Sequence, residues 1–157
     1  MTNPLDITVV RADPRQSEIK ALIEQLDDYM LDLYPAESTH RVDLATLASD
    51  VARFYSALKH TTVVGCGGFL LSSGFAEIKR VFVSPEARGL GIGRKLLTTL
   101  ETEARCLGYG LLRLETGIYQ PEALSLFETM GFTTCPSFGN YPKNDPNSIF
   151  MEKRINP

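Results

Sequence analysis

The 157-residue chain shows no excess of positive charge: 16 Lys and Arg stand against 19 Asp and Glu, scattered rather than in blocks, for a net charge of −3. Binding to nucleic acid needs a basic face, so that partner class is excluded. No apolar run reaches the ~18–20 residues that cross a bilayer, and the N-terminus lacks the charged-then-apolar pattern of a secretory signal. A cytoplasmic protein with no membrane partner is the expectation. Cysteine is sparse as well. Cys66, Cys106 and Cys135 are odd in number, widely spaced and form no CxxC pair, which argues against a disulfide framework and against a zinc site. No metal is expected, and Cys66 and Cys106 read as small buried hydrophobes. Repeats, low-complexity tracts and linkers are missing too. With 43% hydrophobic residues the chain can bury a real core, and residues 1–157 are expected to form one domain.

What is present is an interleaved series of strands and helices. Residues 7–10 read as a first strand, ended by Asp13-Pro14. Ser17 is placed to cap a helix whose apolar residues, from Ile19, Leu22, Ile23 and Leu26 to Tyr29, Met30 and Leu33, recur every three or four positions. Pro35 stops it, and Leu44 and Leu47 suggest a short second helix. Residues 53–58, 63–71 and 75–83 alternate as strands joined by turns, which predicts an antiparallel meander. The glycines of 63–71 allow a neighbouring backbone or a ligand to approach closely. A helix from Leu90 to Gly108 presents Leu96, Leu97, Leu100, Ala104 and Leu107 on one face, and residues 111–115 form the next strand. Strand, helix and strand in succession make a crossover with the second strand parallel to the first. Pro121 opens a further helix that Gly131 ends, and 132–134 and 148–152 close the chain as strands. The predicted fold class is α/β: a mixed, mostly antiparallel central sheet with helices on both faces and one parallel βαβ crossover.

The densest chemical signal is Arg88-Gly89-Leu90-Gly91-Ile92-Gly93-Arg94, which follows the apolar Val81-Phe82-Val83 and a Ser84-Pro85 turn. Glycines at alternate positions leave several backbone N–H groups uncovered by any Cβ, and the helix N-terminus adds partial positive charge, so a pyrophosphate fits there. The other reading is a tight connection. Gly91-Ile92-Gly93-Arg94-Lys95-Leu96 lacks the third glycine of the dinucleotide fingerprint, and Gly93-Arg94-Lys95 does not complete a P-loop. What fits is Arg/Gln-x-x-Gly-x-Gly/Ala, on Arg88, Gly91 and Gly93. This register resembles the acyl-CoA loop of the GCN5-related N-acetyltransferases (GNAT). The resemblance extends upstream to Phe75-Ala76-Glu77-Ile78, similar to the Glu-bearing strand of the histone acetyltransferases, and downstream through Gln120-Pro121-Glu122-Ala123 to Met130-Gly131-Phe132, covering residues 54–132.

The resemblance implies acetyl-CoA as co-substrate, held by the turn from Arg88 through Gly89, Leu90, Gly91, Ile92 and Gly93 to Arg94, and two parallel strands that splay apart to admit the pantetheine arm. It implies that backbone groups of Val81, Phe82 and Val83 pair with pantetheine while one N–H polarises the thioester carbonyl, where a fixed donor is worth ~3 kcal/mol. Arg88 and Arg94 can add donor forks for phosphate. Glu77 matches the family's catalytic Glu. A side-chain amine titrates near ~10.4, so a cationic acceptor must lose a proton, and a carboxylate on an otherwise apolar strand is suited to take it. Alternatively Glu77 faces solvent or pairs with Lys79 or Arg80. Many members carry Asn at the place of Gln120 and Tyr at that of Phe127, the Tyr protonating the leaving thiolate. Gln120 and Phe127 are therefore assigned to the cofactor arm, and Tyr119 is a candidate phenol for that proton, with another hydroxyl or water as the alternative. Tyr29, Tyr34 and Glu37 lie on and after the first helix, the segment that caps the acceptor in this fold, and are the expected substrate contacts. His40 beside them reads as a surface residue.

These features point to an acyl-CoA-dependent N-acyltransferase that moves an acetyl group to a primary amine of a small molecule or amino acid by direct attack. Size and the absence of a docking domain favour such an acceptor over a protein terminus or lysine. A covalent route would need a nucleophile near Val83, and Cys66 on the neighbouring strand is the thiol to consider. The rival from another class is a CoA-binding sensor module without catalysis, which Phe127 suggests and Glu77 opposes. Beyond the amine, the partner allowed for is a second copy of the chain, as a homodimer.

Overall fold

Alternating apolar residues build the frame of the computed structural model, which describes residues 6–39 and 42–157. β1 (Ile7–Arg11), β2 (Ala52–Lys59), β3 (Thr62–Leu71) and β4 (Ala76–Val83) pair antiparallel in chain order. β5 (Leu111–Gly117) lies parallel beside β4. The antiparallel β7 (Ser148–Arg154) and the short β6 (Thr133–Thr134) then complete the order β1-β2-β3-β4-β5-β7-β6 among the described residues. This is the mixed, mostly antiparallel sheet with one parallel crossover that the spacing of elements predicts.

Helices cover both faces. α1 (Ser17–Leu33) and α2 (Leu44–Leu47) lie on one, and α3 (Ile92–Cys106) with α4 (Pro121–Thr129) on the other. Neighbouring residues of β2 show the division, because successive side chains of a strand point to opposite faces. Phe54 joins the cluster of Ile19, Leu22 and Leu47, whereas Tyr55 joins that of Leu97 and Leu100. Leu96, Leu97 and Leu100 are fully buried, and each contributes about 1.5–3 kcal/mol by leaving water. Among the described residues no helix is long and apolar enough to cross a membrane.

Several local readings are corrected. Ser17 is the first residue of α1 rather than its cap: Gln16 holds that position, and no side chain bonds the free N–H groups. The α1 stripe is buried only as far as Leu26, and Tyr29 is 39% exposed, because the last turns of the helix pass over a cleft. Cys106 is exposed, since it falls off the helical face that carries Leu100 and Ala104, and Leu107, the cap residue after the last turn of α3, is 46% exposed. The β3 glycines, by contrast, do admit a neighbouring backbone as expected: a Cβ would lie 2.5 Å from Arg53 O at Gly68 and 3.2 Å from Phe82 O at Gly65.

Candidate active site

β4 and β5 pair at two rungs, Ala76 with Leu112 and Glu77 with Arg113, and then separate. The cause lies in both strands. On β4, Cys66 opposes Phe82 while Gly68 opposes Lys79, so Arg80 and Val81 share one partner position and form a bulge that bends the strand. Arg80 takes the left-handed backbone this requires, with φ +59. β5 meanwhile stays paired to β7 as far as Gly117 and Ser148. The resulting fork is the splay that the resemblance implies, and it leaves the β5-facing edge of β4 beyond Glu77 without a strand partner.

The outer end of the fork opens onto the glycine turn. Gly89 and Gly91 hold left-handed backbone, with φ +84 and +78, and a Cβ built on either meets nothing within 4 Å. α3 begins with no side-chain cap and no acid in its first turn. Lys95 N–H, bonded to Gly91 O at 3.1 Å, is the first of the helical ladder, so the N–H groups of Ile92, Gly93 and Arg94 precede it as free donors. They border a cleft of about 490 Å³ whose walls include Val81, Phe82, Val83, Gly91, Gly93 and Arg94. Arg88 also lines it; its Nε donates to Val83 O at 3.3 Å and its guanidinium lies 5.6 Å from the Phe82 ring centre, which leaves the two terminal nitrogens for an anion. Leu90 packs back towards Ile92 and Leu96 instead. Open backbone donors, a helix N-terminus and two arginines fit a pyrophosphate.

Further in, a cavity of about 110 Å³ has Ile78, Lys79 and Arg80 on one wall and Leu114, Glu115 and Thr116 on the other. Gln120, Ala123 and Phe127 line both spaces, which are therefore neighbours in the fork. Glu77 stands at the last paired rung. Its Oε2 accepts from the Tyr141 hydroxyl and forms an ion pair with Lys79 Nζ at 3.1 Å, and Lys79 donates to the Tyr141 oxygen. Tyr141 is set edge-on against Phe138 and Phe150. Burial, and then the charge of Glu77, push the Tyr141 phenol up from its ordinary range, so it remains the donor in this cluster. Arg80, 8% exposed, forms an ion pair with Asp27 of α1 and donates to Val42 O at 3.2 Å. Glu115 accepts from the Ser148 hydroxyl at 2.7 Å. Cys66 does not supply a nucleophile: burial pushes its thiol up to about 12, and thiolate is the reactive form.

The remaining predicted residues fall in different places. Tyr34 is buried, and its hydroxyl accepts from Tyr119 N–H at 2.9 Å and lies 3.5 Å from Gln120 Oε1. Gly117 has to be glycine here, because a Cβ would overlap the Tyr34 hydroxyl, and its N–H donates to Gln120 Oε1 at 3.3 Å. With its oxygen held on that side, Gln120 keeps its amide N–H₂ for the cleft. The Tyr119 ring stacks on Tyr34 at 5.5 Å, is 54% exposed and walls neither space. Tyr29 lines the outer cleft rather than the inner cavity. Glu37 is exposed, while Thr39, two residues on, lines the inner cavity. His40 lies outside the described residues. Phe127, buried and edge-on to Phe132, offers both spaces an apolar wall without a proton.

Sequence reasoning passed over Glu115, Lys79, Arg80 and Tyr141 as site residues. Glu115 carried a signal, since Leu112 and Leu114 alternate with Arg113 and Glu115 on a strand that must be central. Lys79-Arg80 carried another, because two adjacent cations break the period of a strand as a bulge does. Tyr141 sits in a proline- and glycine-punctuated loop whose path only the fold determines.

The chain matches the model of the acetyltransferase (GNAT) family over residues 19–132. It is 48% identical over 152 residues to an IAA acetyltransferase of Azospirillum brasilense, covering 96% of this chain and 99% of the relative. It is 32% identical over 142 residues to the uncharacterized N-acetyltransferase YsnE of Bacillus subtilis, covering 88% and 93%. Among solved structures, a candidate acyl-CoA N-acyltransferase from Klebsiella pneumoniae superposes with a TM-score of 0.81 at 36% identity, over 97% of this chain and 99% of that one. The fold is shared with the PaiA N-acetyltransferase of Thermoplasma acidophilum, solved in complex with coenzyme A, at a TM-score of 0.72 and 17% identity over 95% and 99% of the two chains.

Proposed function

We propose that this chain, which belongs to the GNAT family of acetyltransferases, uses acetyl-CoA to acetylate the primary amine of a small molecule or amino acid by direct attack. The observation that carries the reading is that one fork between β4 and β5 bears both sites. An anion-binding turn at its outer end leads along the unpaired edge of β4 to a small cavity with a carboxylate on its wall. The amine nitrogen attacks the thioester carbonyl, the C–N bond forms, the C–S bond breaks, and CoA leaves as a thiolate that then takes a proton. Glu115 is the proposed acceptor of the proton the ammonium must lose, because it lines the cavity. Glu77 is assigned to holding Lys79 and Tyr141. The spare backbone N–H groups of β4 at the bulge are the proposed donors to the oxyanion, as preorganised donors are in acyl transfer.

The test is release of free thiol from acetyl-CoA across a panel of amines, amino acids and peptide N-termini, with the product confirmed by mass. IAA, from the name of the Azospirillum relative, belongs in that panel. Acetylation of one small-acceptor class supports the reading. Tight CoA binding with no product from any acceptor would assign the chain to the silent CoA-binding alternative.

A further inference from the structure

We infer that the acceptor is an amine that also carries a carboxylate, and that Lys79, with Arg80 beside it, holds that carboxylate at the inner end of the fork. This rests on the acyl-transfer reading above and narrows its substrate. An ammonium group has three N–H donors and no acceptor. One donates to the Tyr141 oxygen, and a second is matched only by the charge of Glu77, whose Oε2 lies 3.1 Å away in an ion pair. The third has no partner among the described residues, although the side chain is only 12% exposed and lines the inner cavity. Arg80, on the same wall and 8% exposed, keeps a second spare donor: its Nε is buried without a partner among the described residues.

A buried donor left unmade costs about 1–3 kcal/mol, and here two of them, on adjacent cations, belong to residues of one small cavity. Desolvated cations need counter-charges even in the empty protein, and Glu77 and Asp27 provide them. Those pairs balance charge but do not use up the donors. The rest of the cavity is largely apolar, with Ile78, Leu114 and Phe127 on its walls. A hydroxyl or a single carbonyl satisfies one such donor. A carboxylate has two oxygens, accepts from both cations and gains the strength of a charge-assisted bond. With the carboxylate there, an amine a short chain away lies between β4 and the wall that carries Glu115.

The experiment compares matched acceptors in the wild-type protein: amino acids against the amines that lack only the carboxylate, and against their methyl esters. The carboxylate form should show a kcat/KM about 10- to 100-fold higher, the value of one or two charge-assisted bonds. In Lys79→Met that ratio should collapse, chiefly through KM for the amino acid. Equal rates for both members of each pair, or a preference for the decarboxylated amine, would overturn the inference and leave acetyl transfer standing. A preference that survives in Lys79→Met would overturn the assignment to Lys79. Should Lys79→Met fail to fold, the wild-type comparison decides alone. Binding of the N-acetylated products to the CoA-loaded protein, read by calorimetry, separates this inference from the reaction. Tighter binding of the carboxylate product without turnover of any acceptor supports the anion site and overturns catalysis. Neither binding nor turnover overturns both.

Discussion

The two ends of the fork are built from different materials. At the outer end the available donors are backbone groups: residues 88–94 are contiguous, two of their glycines hold positive φ, and the donors are the first amides of α3. At the inner end the polar groups are side chains that arrive from separate elements, Asp27 from α1, Lys79 and Arg80 from β4, Glu115 from β5 and Tyr141 from the loop before β7. The outer site is fixed by local conformation, so a turn of this kind accommodates the same phosphate groups whatever surrounds it. The inner site exists only when the sheet is assembled, and its side chains can change without touching the glycine turn. A fold built this way can keep its donor and exchange its acceptor.

The largest effect that can break this contrast is at Gly91. Gly91→Val puts a branched side chain into space where an added Cβ meets nothing within 4 Å and forces a left-handed backbone that costs about 1–2 kcal/mol. CoA affinity should fall on the order of 100- to 1000-fold, because the amides of the turn are covered, while urea unfolding shows a modest loss. An unchanged dissociation constant by calorimetry would detach the turn from the cofactor. Next in size is Asp27→Ala, which leaves the Arg80 guanidinium buried without its carboxylate. It should destabilise the protein by about 3 kcal/mol, the low end for breaking a buried pair, with CoA affinity nearly intact. A loss confined to CoA binding would mean that the two ends are not independent.

The contrast also explains what was legible in advance. The β2–β3–β4 meander, the crossover and the glycine turn depend on periodicity and on residues close in sequence, so spacing alone locates them, whereas the insertion of β7 between β5 and β6 is a pairing of distant segments that spacing does not show. Glu77 was legible as a carboxylate on an apolar strand, but its partner was not, because Tyr141 lies 64 positions away across a loop with no regular pattern. The reading of Phe127 as a packed residue without a proton needed only its side chain. The exposure of Tyr119 depends on how Gly117 receives Tyr34, a contact between elements far apart in the chain.

The two carboxylates at the fork offer a finer test. Glu115 lines the cavity, whereas Glu77 is engaged by Lys79 and Tyr141. Glu115→Gln should lower kcat/KM about 100-fold at neutral pH, the low end for a general base. The loss should shrink as pH rises towards the amine's own pKa, near ~10.4, where free amine becomes abundant. Glu77→Gln should act through KM for the acceptor and show no such recovery. The reverse pattern in the two pH profiles would return the base to Glu77.

The smallest expected effects concern the phenols, and they decide what protonates the departing thiolate. Phe127 has no proton to give, the Tyr119 ring points largely to solvent, and the Tyr34 hydroxyl sits behind Gln120, which lines both spaces. Burial raises the Tyr34 pKa, so it stays protonated across the working range and keeps a hydrogen to share. Tyr34→Phe removes the contact to Gln120 Oε1 and the acceptor of Tyr119 N–H, and should lower kcat several-fold, about 3- to 10-fold for a net hydrogen bond. Tyr119→Phe keeps its backbone N–H on Tyr34 and removes only an exposed hydroxyl, so its effect should stay within about 2-fold, as for a surface change. A thiol titrates near ~8.5, so CoA leaves without much help and water can complete the step. That is why the effect at Tyr34 is expected to be small and to appear in kcat rather than in CoA affinity. If Tyr119→Phe instead proves the more damaging of the two, its ring must turn inward when the cofactor binds, and the outer end of the fork would then be shaped by its ligand rather than by backbone alone.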